Sequence, residues 1–233
     1  MKTSHTLFAS LTLAAAALAP TAAQAAGAVL LKENFNDVDN LPGWVEVNHS
    51  TGPGQDWFQG NSGVFRAQSG PADSYIANSY LSALNGLGTI DTWLITPELS
   101  FATAATTFSF YTCGAKAPGL NDTLEVRFSA GSGTDTAGFS TLITTLGGTT
   151  PYPSSWQQFS TSLNLTGTGR FAFHYLGDAG ASNYIGIDTV SIMAVPEPSA
   201  WLMLGLGLGA LTLLRRKLNL PSPVLKGVRH VQQ

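Results

Sequence analysis

Polar and apolar residues alternate along much of the chain between positions 27 and 194. In Thr106-Thr107-Phe108-Ser109-Phe110-Tyr111 a ring returns at every second place. The run 123–128 puts Leu124, Val126 and Phe128 on one face and Thr123, Glu125 and Arg127 on the other. In 170–175 Phe171, Phe173 and Tyr175 share a face, with His174 opposite and predicted on the surface; 184–192 is again rich in β-branched residues and rings. A period of two in segments bounded by Gly, Pro, Asn or Asp predicts strands. One apolar and one polar face predicts antiparallel pairing. No stretch of the body keeps an apolar 3.6-residue repeat over three turns, so helices are not expected there. The segment 81–88 is predicted as loop or a single helical turn, and 131–138 and 147–153 as loops. About ten strands joined by Gly-rich turns predict an all-β fold, a jelly-roll-like antiparallel two-sheet β-sandwich. It fills one domain, 26–194.

The two ends break this pattern. Lys2 precedes an Ala- and Leu-rich stretch over 6–19, then Pro20 and Ala23-Gln24-Ala25. A positive start, a short apolar core and small residues at an A-x-A site predict a secretory signal peptide over 1–25, cleaved after Ala25. An N-terminal membrane anchor is the competing reading, and the core is too short and too weakly apolar for it. At the other end Val195-Pro196-Glu197-Pro198-Ser199 leads into an uncharged run, 200–214, closed by Arg215-Arg216-Lys217. Fifteen helical residues rise about 22 Å, short of a hydrocarbon core of roughly 30 Å, a gap that snorkelling Arg and local thinning can close. The basic cluster predicts a transmembrane helix with the body of the chain outside. A glycolipid-anchor signal would end in its apolar stretch, whereas here a polar tail, 218–233, follows.

The order Pro-Glu-Pro, apolar helix, basic cluster resembles the PEP-CTERM sorting domain of Gram-negative bacteria, over 195–217. The resemblance implies recognition of Pro196, Glu197 and Pro198 by an exosortase, with Arg215, Arg216 and Lys217 as the stop-transfer cluster. It implies secretion across the inner membrane, membrane anchoring, then the cell surface or extracellular matrix. A plain single-span anchor is the alternative, and the tail beyond Lys217 departs from the family pattern.

Composition narrows the chemistry. Only 11% of residues are charged, and residues 27–194 hold five basic and thirteen acidic side chains, a net of −8. That balance disfavours a nucleic-acid surface. One Cys, Cys113, excludes an intrachain disulfide framework and is expected as a buried thiol or a loop residue. The body resembles a second family. Glu33-Asn34-Phe35-Asn36, Leu41-Pro42-Gly43-Trp44, Trp57-Phe58-Gln59-Gly60-Asn61, Thr89 through Pro97 and Asn183-Tyr184-Ile185-Gly186-Ile187-Asp188 are similar to the choice-of-anchor J domain, itself similar to cleaved-adhesin and MAM domains. That resemblance implies a jelly-roll sandwich with no catalytic residues to carry over. The loop at 129–151 is shorter than the resemblance implies.

Three chemistries compete. A hydrolase needs a nucleophile with a positioned base, and no G-x-S-x-G turn is present. Glu46, Asp56, Asp73, Asp91, Glu98 and Asp122 leave paired-carboxylate chemistry, a glycan hydrolase, as a residual reading. A calcium site is the better expectation, because hard cations take several oxygen ligands. Jelly-roll modules set the first strand beside the last, which brings Glu33 towards Asp188; Asn34, Asp91 and Asn183 are further candidate oxygens. The competing reading has Asp188 bonding main-chain amides or Arg170. Carbohydrate binding uses rings stacked on sugar faces, and Trp57 and Trp156 are the candidate exposed rings, although Trp and Tyr in sandwiches are more often core. Sequons at Asn48, Asn121 and Asn164 carry little weight beside a bacterial sorting tail. The expectation is an exported, non-enzymatic surface or matrix protein, adhesive or structural in exopolysaccharide or biofilm. The alternative is a calcium-dependent, lectin-like carbohydrate-binding module.

Overall fold

The computed structural model describes residues 27–102, 105–195, 204–205 and 207–211. The signal peptide with Ala25, the sorting residues Pro196, Glu197, Pro198, Arg215, Arg216 and Lys217, and the tail 218–233 lie outside the described residues. The chain divides into two compact units, one of which is Ala26–Glu197. In the other, the described residues 204–205 and 207–211 are helical. No helix among the described residues is long and apolar enough to cross a membrane.

The described part of Ala26–Glu197 is built of strands. In chain order they are β1 (Ala28–Glu33), β2 (Val45–Asn48), β3 (Phe58–Gln59), β4 (Ile76–Ser79), β5 (Thr89–Ile95), β6 (Leu99–Phe101), β7 (Ala105–Gly114), β8 (Thr123–Ala130), β9 (Thr141–Gly147), β10 (Gln157–Asn164), β11 (Gly167–Asp178) and β12 (Tyr184–Ala194). Short 3-10 turns at Tyr80–Ser82 and Leu84–Gly86 occupy the segment expected as loop or helical turn. The segment 129–151, read from the sequence as a loop, contains β9, whose exposed Thr-rich face carries a weak apolar signal.

Two six-stranded antiparallel sheets result. One runs β10-β7-β12-β4-β3 with β1 also on β12, and the other β2-β5-β11-β8-β9 with β6 also on β11. Alternation puts Phe108, Phe110, Ile185 and Ile187 of the first sheet against Leu94, Val126, Phe171 and Phe173 of the second, all fully buried. Phe108 stacks on Phe171 with centroids 4.5 Å apart, and Phe110 meets Phe173 edge to face at 5.0 Å. Stacked and edge-on rings add to the area they bury, so this seam holds the sheets together.

Neither outer face is bare. Over the first sheet, Phe58, Phe65 and Trp156 cover Tyr75, Ala77 and Tyr184. Over the second, Phe139 packs on Trp93, Ile95 and Ala172. This covering corrects the placement of His174. It does stand opposite Phe171 and Phe173, but it is only 8% exposed.

Candidate functional site

Strand β12 carries the feature that organises the site. Ile185 and Ile187 face the core, and so do Val190 and Ile192, so the period of two slips by one residue between Ile187 and Val190. The slip is a β-bulge between Asp188 and Ser191 in the pairing with β7. A bulge adds a residue, bends the strand and re-aims its side chains. On the other edge of β12, β4 pairs only up to Ile187 and β1 only from Val190. Asp188 and Thr189 therefore sit in a notch that neither neighbouring strand fills.

The segment at 68–69 closes the notch. Ser69 N–H donates to Asp188 Oδ2 (3.1 Å), Thr189 N–H donates to Asp188 Oδ1 (2.6 Å), and Thr189 Oγ1 donates to Gln68 Oε1 (3.0 Å). Asp188 is 0% exposed, and burial raises its pKa against the pull of these donors. Main-chain amides are thus its partners. Arg170, the alternative partner, instead bonds the carbonyls of Thr96 and Ser132.

From β1, Glu33 pairs with Val190, two residues from Asp188. Glu33 Oε1 accepts from the N–H groups of Asn34 (3.0 Å) and Phe35 (2.9 Å). Asn34 Oδ1 is buried with no hydrogen-bond partner among the described residues, a cost of about 1–3 kcal/mol for a lone buried acceptor. Phe35 and Thr189 both hold positive φ (50° and 51°), which for a bulky or β-branched residue is an outlier of the kind that clusters at functional sites. Asn36 belongs to the same corner, since Ser74 Oγ donates to its Oδ1 (2.9 Å) beside Gly70.

These oxygens suit a hard cation. The buried carboxylate of Asp188 has amide and hydroxyl donors around it but no cationic partner among the described residues, and Asn34 presents an unused amide oxygen. Among the described residues no three His, Cys, Asp or Glu side chains form a metal-sized group. A cation would have to be held by one or two carboxylates with amide and main-chain oxygens, a ligand set that calcium accepts.

Asp91 does not join this corner. It lies in the other sheet, where its Oδ1 accepts from Trp93 Nε1 (2.7 Å) and bonds His174 Nε2 (2.8 Å). His174 stacks on Trp93 at 3.8 Å and lies 3.5 Å, through Nδ1, from Glu125 Oε2. Burial lowers the His174 pKa and outweighs the two carboxylates, which pull it up. Arg127 Nε completes the row, 2.7 Å from Glu125 Oε2. Asn183 is also elsewhere, bonded to Asp122 Oδ1 and to the Ala115 carbonyl.

The candidate sugar platforms separate. Trp57 is 5% exposed and packed in the inter-sheet core, which corrects its expected exposure; a ring between the sheets offers no face to a ligand. Trp156 is half-buried on the outer face, meeting Phe65 and Tyr75 edge to face, with Nε1 donating to the Arg66 carbonyl (2.7 Å). Of the six carboxylates weighed for acid–base work, Glu46 and Asp56 come together: burial first, then the nearby Asp56 charge, push Glu46 up to about 7. Cys113 is buried, and that burial raises its thiol to about 11.

The site residues that sequence reasoning missed are Asn36, Gln68 and Ser69. Their signal is the parity break at Asp188-Thr189, visible as apolar positions at 185, 187, 190 and 192.

Comparisons with known proteins agree with this architecture. Residues 194–217 match the PEP-CTERM protein-sorting motif. Among solved structures the chain is similar to the K1 cleaved adhesin domain of Lys-gingipain from Porphyromonas gingivalis W83, at 24% identity over 70% of this chain and 97% of that one, with a TM-score of 0.56. It is similar also to the K3 domain of the same protein, at 21% identity over 72% and 99%, with a TM-score of 0.51. At these identities the likeness is one of fold. Comparison with curated proteins gave no significant match. The Cleaved Adhesin Domain model matches residues 28–192, most of the chain, and the protein belongs to that family.

Proposed function

We propose that this protein is exported, sorted by an exosortase-type system acting at Pro196-Glu197-Pro198, and delivered to the surface of a Gram-negative cell or its extracellular matrix. There its sandwich serves adhesion in exopolysaccharide or biofilm without catalysing a reaction. The observation that supports this most is the succession of an adhesin-family domain (28–192) and a sorting motif (194–217) in one chain. The N-terminal 25 residues fit a cleaved leader, with Ala25 before the cut, and 200–214 fit a membrane-inserted helix before sorting. The mass of the mature protein from its native host tests all of this. Loss of both ends is the expected result, and an intact leader in a cytosolic protein would sink the reading.

A second reading, calcium-supported glycan binding, draws on the oxygen-lined notch and on Trp156. Asp188 and Asn34 would hold the ion, with Glu33 at the rim; a bound calcium supplies positive charge that neutralises the buried carboxylate. A ligand that binds only the native state raises its stability. The melting midpoint should therefore be higher in calcium than in EDTA for the native protein, and equal for Asp188→Asn. Equal midpoints in the native protein would remove the ion from the account. For the glycan, a saturable change in tryptophan fluorescence that Trp156→Ala abolishes is the expected result. An unchanged signal across a broad glycan panel counts against it.

A further inference from the structure

A cavity of about 350 Å³ opens between the segment joining β7 to β8 and the segment joining β9 to β10. Its volume is at the small end of the roughly 300–1,000 Å³ typical of ligand sites. Asn121 holds the two segments together: Nδ2 donates to the carbonyls of Gly148 (2.7 Å) and Thr150 (2.9 Å), and Oδ1 accepts from Tyr152 N–H (2.8 Å). Two glycines let the walls approach each other closely. A Cβ on Gly114 would come within 2.8 Å of the Tyr152 ring, and one on Gly147, where φ is +81°, would collide with the Asp122 main-chain oxygen. The cavity is therefore formed before anything enters it, which limits the ordering cost of binding.

Asp122 lies in its wall and is 3% exposed. Its Oδ1 accepts from Tyr175 OH (2.7 Å) and Asn183 N–H (2.8 Å). Its Oδ2 has no partner among the described residues and lies 3.5 Å from where a Gly114 Cβ would stand. A carboxylate accepts on both oxygens, and Oδ2, which is not closed off from solvent, is free to accept from a molecule that enters the cavity. Burial also raises the Asp122 pKa. Lys116 and Ser154 add an ammonium and a hydroxyl, and Ala115, Leu120 and Pro151 add apolar wall. Lys116 is in no ion pair among the described residues.

From this combination we infer that the cavity binds one hydroxyl-rich ring of pyranose size. A simple cation would meet the Lys116 charge, and a simple anion would meet Asp122. A neutral polyol donates a hydroxyl to Asp122 Oδ2, accepts from Lys116 and lays its C–H face on Leu120 and Pro151. The adhesive role proposed above stands whether or not this cavity is filled, and the site is separate from Trp156 as a platform.

The test is saturation-transfer NMR on the full-length protein, with methyl α-glucopyranoside, methyl α-galactopyranoside and methyl α-mannopyranoside as probes and free alanine as a zwitterionic competitor. Saturable millimolar binding of at least one pyranoside is expected, weakened several-fold by Lys116→Ala and lost in Ala117→Trp, which fills the cavity from its lining while leaving the polar groups in place. Native thermal melts of both variants show that a loss is not unfolding. Failure of all three pyranosides overturns the inference, and so does displacement by alanine, which would mark a zwitterion site. Equal pyranoside binding by the native protein and Ala117→Trp would exclude this cavity while leaving glycan binding at another place.

Discussion

Single residues show where the backbone and the charges are under tension. Gly147 combines a positive φ with the main-chain oxygen of Asp122 where a side chain would start. Gly147→Ala should cost at least about 2 kcal/mol in a urea melt, and an unchanged midpoint would show that the turn can relax. Two titrating groups set opposing trends with pH. Glu46 has its pKa raised to about 7, so its protonated form is favoured in the fold. Its contribution is complete below the ordinary carboxylate value of 4.5 and fades as pH rises through 7. His174 has its pKa lowered, so the neutral form is favoured in the fold. Its contribution is present above 6.5, the ordinary value, and is lost as pH falls below that. Melting midpoints between pH 4.5 and 8 should separate them. Glu46→Gln removes the gain on acidification and His174→Asn removes the loss. Parallel pH curves for native protein and both variants would show that neither group is coupled to folding.

At the scale of elements, the inward faces were readable from the chain because burial between two sheets enforces a period of two. Leu124, Val126 and Phe128 are buried as their alternation requires, and Phe171, Phe173 and Tyr175 likewise. The outward faces were not readable. Trp93, among Ile90, Leu94 and Ile95, reads as core and is buried, but in a second cluster on the outer face beneath Phe139, which a Gly-rich excursion between β8 and β9 lays over the sheet. Such an excursion has no period, so neither its path nor its partner can be read from composition. Arg127 Nη1 bonds the Phe139 carbonyl (3.3 Å) and helps hold the flap down. Phe139→Ala should therefore cost roughly 3 kcal/mol, as truncation of a buried ring does. A loss below about 0.5 kcal/mol in a urea melt would mean that the flap contributes no packing.

For the whole molecule, topology decides which distant residues meet. The first strand does lie against the last, so Glu33 and Asp188 share a corner, while Asp91 is assigned to the opposite sheet by the pairing of β5 with β11. Delivery belongs to this scale as well. Glu197→Ala should leave the protein in the inner membrane in cell fractionation. Normal release of that variant would reduce 195–217 to a simple anchor.

What the chain determined unaided was everything that depends on local repetition or on a contiguous motif: the strand period, the absence of helical repeats in the body, and the ordered signals at 195–217. What only the folded arrangement decided was the use of polar residues that lie far apart in sequence. Asn34 and Ser69 each lie more than a hundred positions before Asp188 yet share its corner, and Asp122 gains an unpartnered oxygen only because three connecting segments close around it. Periodicity records whether a side chain faces apolar surroundings. Which polar partner it finds there is set by strand order and by the bulge in β12, and neither leaves a repeating trace in the sequence.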